Sequence, residues 1–354
     1  MVVINDKTKD SASVKLAEPI DPVGRVEIIT ATTADYQELN IGTGTLVAPN
    51  KVLTAAHVID PNLDGIIEVK DLSKYSFELG DNLDAGSDHS LKIDQVSLHP
   101  SWKAVKANRV SSGDDGQDIP NPRYDLAVLT LSSDFTEVAP VKVSPDVPEL
   151  LDNASLLGKK GTLIGYGDYG NPTADPDNSD GLRRAAENII DSADYGLIRF
   201  DYDSTDPLIQ KNNDQGFNSP NLDGSSPELA SVPESSPKPI SLEGGIAPGD
   251  SGGPLLVESD LEPVVVGVAS EFIDPESSGL PISGYGSVYV YASLNDPQTI
   301  KFLSTENIIS SDTKVAATSV LGHSTEVLDI SLTETTEAFA TQNDEFIYQS
   351  NEFI

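Results

Sequence analysis

Cysteine is absent from the chain, which runs to 354 residues. That excludes disulfides, thiolate metal sites and a cysteine nucleophile. Stability then rests on a packed core, which a chain of this length can supply. Basic residues are scarce: 22 Lys and Arg stand against 57 Asp and Glu, for a formal net charge of −35. A surface of that sign does not neutralise nucleic-acid phosphates, and anionic membranes repel it. No run of about 18 apolar residues occurs, so no membrane-inserted helix is expected. The N-terminus has no long apolar stretch behind a basic one, so a conventional signal peptide is not expected there.

What is present is apolar enough to fold. Hydrophobic residues make up 38% of the chain, and a disordered chain of this charge would carry fewer Val, Ile and Leu. Residues 1–24 are polar and mixed and read as an N-terminal arm. From Arg25 the sequence becomes short apolar runs: Val26–Ile29, Gly44–Val47, Lys51–Leu53, Leu126–Leu131, Thr162–Ile164 and Pro263–Val268. Gly, Pro, Asn and Asp punctuate them, a rhythm that predicts an all-β fold of barrels or a sandwich. Helical periodicity is rare. Asn295-Asp296-Pro297 offers a cap and a first-turn proline and predicts a short C-terminal helix to about Leu303. Acidic, Asn- and Pro-rich loops at 171–182 and 203–239 break the strand rhythm. Residues 310–354 are polar again and read as a tail.

Three motifs mislead. Gly165-Tyr166-Gly167-Asp168-Tyr169-Gly170 has the glycine spacing of a dinucleotide loop, but Asn171-Pro172 follows where a helix must start. Asp175-Pro176-Asp177-Asn178-Ser179-Asp180-Gly181 resembles an EF-hand start with its glycine one place late. Gly249-Asp250-Ser251-Gly252-Gly253 satisfies the nucleophile-elbow pattern, yet the one later histidine, His323, sits in the tail.

A different constellation carries chemistry. His57 ends Val52-Leu53-Thr54-Ala55-Ala56-His57, a strand running into small residues that leave an imidazole room. Asp125 directly precedes the buried strand 126–131, and an acid there needs a partner or a hydrogen-bond network. Ser251 lies among glycines, which permit unusual backbone angles and close substrate approach. In the order His57, Asp125, Ser251, these segments resemble the three signatures of the chymotrypsin/trypsin-like serine proteases, most of all the secreted bacterial type. His99-Pro100-Ser101-Trp102, Ile164-Gly165-Tyr166-Gly167, Val265–Ser270 and Ser287-Val288-Tyr289 match further stretches, so the resemblance covers roughly residues 25–305.

The resemblance implies two six-stranded antiparallel β-barrels with the site between them. Barrel one would span about 25–145 and barrel two about 155–300, within a protease domain of 25–309. It implies a catalytic triad of His57, Asp125 and Ser251, with the backbone N–H groups of Gly249 and Ser251 as the oxyanion hole. Gly245 would floor the substrate pocket, with Ser270, Phe272 and Ser287 as its walls; Glu243 is near but out of register. Such a pocket is neutral and small to medium. The family's Ile-Val-Gly-Gly start is missing upstream of His57, so Asp250 needs another donor. No cofactor is required for catalysis. Gly80-Asp81-Asn82 with Asp88 resembles the family's calcium loop, against a reading of plain solvated charge.

The expected partners are protein or peptide substrates, without nucleic acid or membrane insertion. The expected location is extracellular. The ending Asn351-Glu352-Phe353-Ile354 resembles an uncleaved C-terminal secretion signal; a disordered tail, or an apolar end docked on the barrel, is the alternative. Two other functions compete with the endopeptidase: a silent binding or adhesion module on the same fold, and an esterase using the same triad.

Overall fold

The computed structural model describes residues 3–310, apart from 6, 34–36, 68, 103–104, 107–117, 120, 174–175, 177, 205–238 and 274–282. The expected tail and most of the loop at 203–239 lie outside the described residues.

The chain opens with strand β1 (Val3–Ile4) and helix α1 (Asp10–Ala17). Six strands then form a closed barrel in the order β2-β3-β4-β9-β6-β5. They are β2 (Val23–Thr32), β3 (Gln37–Ala48), β4 (Lys51–Thr54), β5 (Tyr75–Leu79), β6 (His89–Leu98) and β9 (Ala127–Leu131). A short hairpin of β7 (Val105–Lys106) and β8 (Asp118–Ile119) precedes β9. Period-two patterning drives the closure: along β5, Tyr75, Phe77 and Leu79 are buried while Ser76 and Glu78 face outward. Val26, Leu46, Leu53, Phe77 and Leu129 meet inside. Each such side chain contributes roughly 1.5–3 kcal/mol by leaving water.

The second half holds β10 (Lys142–Val143), β11 (Lys160–Gly165), β12 (Arg184–Ile189), β13 (Ser192–Asp194), β14 (Leu197–Asp201), β15 (Gly244–Gly245), β16 (Pro254–Glu258), β17 (Pro263–Ile273) and β18 (Val288–Ser293). Six of these curl into a half-barrel in the order β12-β11-β16-β17-β18-β14, with β13 and β10 added at β14 and β17. The first and last strands of this curl are joined by a side chain: Asn188 Nδ2 donates to the Asp201 carbonyl at 2.8 Å. The all-β, two-barrel expectation holds, with the second barrel stapled rather than laddered shut.

The predicted C-terminal helix is α3 (Pro297–Thr305). Asp296 caps it, accepting from the N–H groups of Gln298 and Thr299. Helices α1 and α2 (Ala56–Ile59) were not legible. The buried residues of α1 are Ser13 and Ala17, too small to make an apolar stripe. Residues 3–5 and 7–23, expected as an arm, lie against the body. β1 pairs with β15, Ser13 Oγ donates to the Ala185 carbonyl at 2.6 Å, and Asp10 bonds to Arg184 at 2.7 Å.

Candidate active site

Strand pairing brings His57 and Asp125 together. β4 and β9 are antiparallel, with Thr54 opposite Ala127. The residues just past β4 and just before β9 therefore lie side by side. A turn capped by Asn121 (Pro122–Tyr124) delivers Asp125 into the interior, where it is wholly buried. Its carboxylate accepts three hydrogen bonds: His57 N–H on Oδ1 at 2.9 Å, and both His57 Nδ1 and Ser270 Oγ on Oδ2 at 2.6 Å. Burial pulls the His57 pKa down. The charge and hydrogen bond of Asp125, with the charge of Glu271, outweigh this and leave it above its ordinary value. With Nδ1 engaged, Nε2 is the ring nitrogen left for chemistry.

Ser251 sits in a turn that only glycine could build. Gly249 has φ +91° and Gly252 φ +86°, in the left-handed region. A side chain on Gly252 would fall 2.2 Å from Thr54 Oγ1 and 2.8 Å from the Ala55 nitrogen, so the turn abuts the strand end that carries His57. Gly252 N–H also donates to the Ala269 carbonyl, next to the Ser270 that holds Asp125. The turn that carries Ser251 thus packs against the strand end that leads to His57. Among the described residues, the N–H groups of Gly249 and Ser251 have no backbone acceptor.

Thr43 is a further residue at the site, one that no sequence motif marks. Its N–H donates to the Ser251 carbonyl at 2.8 Å, and its hydroxyl donates to the Gly249 carbonyl at 3.1 Å. Thr54 Oγ1 in turn donates to the Thr43 carbonyl at 2.7 Å. One first-barrel threonine so grips both sides of the Ser251 turn. Its setting, Gly42-Thr43-Gly44, was the available signal: a side chain on Gly42 would collide with Val58 and come within 3.0 Å of the Ser251 carbonyl.

Asp250 finds backbone donors. It is fully buried, and its carboxylate accepts from Gly167 N–H at 3.0 Å and Ala247 N–H at 2.9 Å. Gly245, the expected pocket floor, pairs with Val3 in β1. A side chain there would overlap the ring of the buried Tyr289, 1.6 Å from Cζ. Phe272 lies opposite Tyr289 across β17 and β18 and is half-buried against the second core. The hydroxyl of Ser270, expected as a pocket wall, is committed to Asp125. Glu243 faces the end of β14: its carboxyl accepts from Asp203 N–H at 2.7 Å and Ile240 N–H at 2.5 Å. Burial, then the charge of Asp203, pushes its pKa up to about 8.

In the calcium-like stretch, Asp81 is bonded by Arg183 Nη2 at 2.6 Å. Asn82 accepts from Ala85 N–H, and Asp88 N–H donates to the Leu79 carbonyl. The arginine supplies the positive charge that the Asp81 carboxylate faces.

The family model for trypsin matches residues 30–206, half of the chain. The chain belongs to the trypsin family. The matched span includes His57 and Asp125 and ends before Ser251. A trypsin domain carries serine-protease-type function and takes protein substrates. No curated protein matches the chain. Among the described residues no helix is long and apolar enough to cross a membrane.

Proposed function

We propose that this trypsin-family protein is a serine endopeptidase that cleaves peptide bonds through an acyl-enzyme on Ser251. The observation that carries the reading is the Asp125 carboxylate, buried and held by His57 N–H, His57 Nδ1 and Ser270 Oγ. That arrangement fixes the imidazole tautomer and leaves Nε2 as the base. The Ser251 Oγ proton passes to His57 Nε2 as Oγ bonds to the scissile carbonyl carbon. The N–H groups of Gly249 and Ser251 stabilise the resulting oxyanion. The C–N bond then breaks, and the His57 proton goes to the leaving amine. Water repeats the sequence on the ester and releases Ser251. Side chains and backbone carry every step, so no cofactor takes part, and any calcium at the 80–88 loop would be structural.

The Tyr289 ring behind Gly245 supports a shallow, neutral primary pocket. We read the enzyme as cleaving after small or medium uncharged residues, outside the cell. The test is a fluorophosphonate probe, an active-site label, followed by Ser251→Ala. The probe should label Ser251, and the variant should lose about 10⁴–10⁶-fold in kcat on a peptide substrate. Absent labelling with no peptide hydrolysis would leave a silent binding module. Hydrolysis of esters alone would leave an esterase, and a library profile dominated by Arg or Lys would overturn the pocket reading.

A further inference from the structure

The peptide planes from Pro248 to Gly252 shape the Ser251 turn, and each is pinned. The Pro248 carbonyl accepts from Asp168 N–H at 2.8 Å. The Gly249 carbonyl accepts from Thr43 Oγ1 at 3.1 Å, and the N–H of the same plane, on Asp250, donates to the Ala247 carbonyl at 3.0 Å. The Asp250 carbonyl accepts from Gly253 N–H at 2.8 Å. The Ser251 carbonyl accepts from Thr43 N–H at 2.8 Å, and Gly252 N–H donates to the Ala269 carbonyl at 2.9 Å. In a trans peptide the C=O and N–H point opposite ways. Carbonyls held at Pro248 and Asp250 therefore turn the N–H groups of Gly249 and Ser251 away from those anchors.

The anchors differ in kind. Asp168, Ala247, Gly253 and Ala269 belong to the second half, so their bonds move with the turn. Among the described residues, the hydrogen bonds that reach the turn from the first barrel come from Thr43. Thr43 is fully buried. Its hydroxyl accepts from Tyr166 N–H at 3.2 Å, which leaves its proton for the Gly249 carbonyl. Its carbonyl accepts from Thr54 Oγ1, at the end of the strand that leads to His57. Thr43 so ties the turn to the barrel that carries the base. Gly249 is where the tie matters most. With φ +91° and no Cβ, it rotates between its two neighbouring planes more freely than other residues. The plane that holds its N–H is anchored within the second half. The plane that holds its carbonyl is anchored across the barrel junction by the Thr43 hydroxyl.

We propose that the Thr43 hydroxyl is a positioning group for the oxyanion hole, a role that rests on Ser251 being the nucleophile: by fixing the Gly249 carbonyl it sets where the Gly249 N–H points relative to His57 and Ser251. An oxyanion donor works only when aimed at the place where charge develops. A misaimed N–H loses transition-state stabilisation and leaves ground-state binding alone, so the loss falls on kcat and not on KM.

Thr43→Val keeps the shape and the N–H bond to Ser251 and removes the hydroxyl, whereas Thr43→Ser keeps the hydroxyl. On a peptide amide substrate, Thr43→Val should lose about 10–100-fold in kcat at unchanged KM, less than the ~10²–10³ of deleting an oxyanion donor outright. A peptidyl trifluoromethyl ketone gives a second readout. Ser251 Oγ adds to its carbonyl carbon, the Oγ proton passes to His57 Nε2, and the ketone oxygen becomes the oxyanion. Its inhibition constant should rise by the same factor as kcat falls. Thr43→Ser should restore both, and the acid limb of the pH profile should stay in place, since His57 and Asp125 keep their bonds. Kinetics are read well below each variant's thermal transition, and should Thr43→Val not fold, Thr43→Ala makes the same comparison. Native kcat in the hydroxyl-free variant, a loss borne by KM, or a loss that Thr43→Ser shares would overturn the proposal. A native protein that neither labels with a fluorophosphonate nor cleaves peptides would sink the endopeptidase reading and this role with it. A native protein that does both, beside an unaffected Thr43→Val, would sink this role alone.

Discussion

The two barrels solve the same closure problem with different chemistry. Among the described residues, the polar side chains buried on the strands of the first barrel are threonines: Thr43, Thr45 and Thr54. Its ladder is continuous around all six strands. The second barrel buries Arg184, Asn188, Arg199 and Asp201 on its strands and closes through the Asn188 amide. Arg184 lies over the Tyr169 ring at 4.2 Å and bonds to both Asp180 and Asp10. Arg199 bonds to Ser192 and Asp194. The first barrel is held by apolar burial that any nearby strand could provide. The second depends on named polar partners, one of which, Asp10, lies 174 residues from its arginine. The proposed active site draws on both: the first supplies His57, Asp125 and Thr43, and the second presents the Ser251 turn.

The largest effect that would sharpen this contrast lies in the first barrel. Asp125→Asn should keep the fold and lower kcat by about 10⁴-fold, because the amide no longer selects the His57 tautomer that leaves Nε2 basic. Steady-state kinetics on a peptide substrate, with circular dichroism to show an intact fold, measure it. A loss under tenfold would mean that the carboxylate does not orient the base. In the second barrel, Arg184→Met should act on stability and not on chemistry. Removing one partner of a buried ion pair costs about 3–5 kcal/mol. Asp10 and Asp180 are partly exposed and can rehydrate, so about 2–3 kcal/mol is expected by denaturant unfolding. A neutral result would show that the second half is held by apolar packing like the first.

That difference also explains what the sequence disclosed. The runs at 26–29, 44–47, 51–53 and 126–131 lie in or just before first-barrel strands, since period-two burial is local information. The pairing of His57 with Asp125 was legible from their immediate neighbours. Thr43 and the hydroxyl of Ser270 were not, because their partners lie 206 and 145 residues away. The N-terminal segment looked like a free arm for the same reason. Its pairing through Val3, Ile4, Asn5 and Asp10 is with 241–245 and Arg184, and nothing in the local composition announces it. Tyr289 filling the space behind Gly245 is a matter of packing between β15 and β18, which a position count does not register.

His99 makes a pH-dependent break of similar size at the junction of the first barrel with α3. The ring stacks on Tyr124, the residue before Asp125, and meets Phe302 of α3 edge-on. Burial lowers its pKa to about 4, against opposing effects of Asp296 and the Gln298 backbone. The folded state therefore binds the proton less readily than the unfolded chain. The stability it contributes is complete above pH 6.5 and is lost as pH falls toward 4. At about 1.4 kcal/mol per unit, the loss approaches 3 kcal/mol. Unfolding curves at pH 7 and pH 4.5 should diverge in the native protein and less so in His99→Gln. Equal divergence in both would place the acid sensitivity elsewhere.

The smallest expected effect tests whether the second barrel tunes the first barrel's base. Glu271 follows Ser270 in β17, and its negative charge, after that of Asp125, favours the imidazolium of His57. Glu271→Gln keeps size and shape and removes the charge. His57 should then lose its proton at lower pH, moving the acid limb of the kcat/KM profile toward acid. The direction is fixed by sign: a nearby anion raises the pKa of a cationic acid, and its removal lowers it. The shift should shrink somewhat as ionic strength rises, because Glu271 is only partly buried and salt screens it in part, whereas the contribution of the wholly buried Asp125 should not. An acid limb that stays in place, or moves toward alkali, would show that β17 serves the site only through the Ser270 hydroxyl.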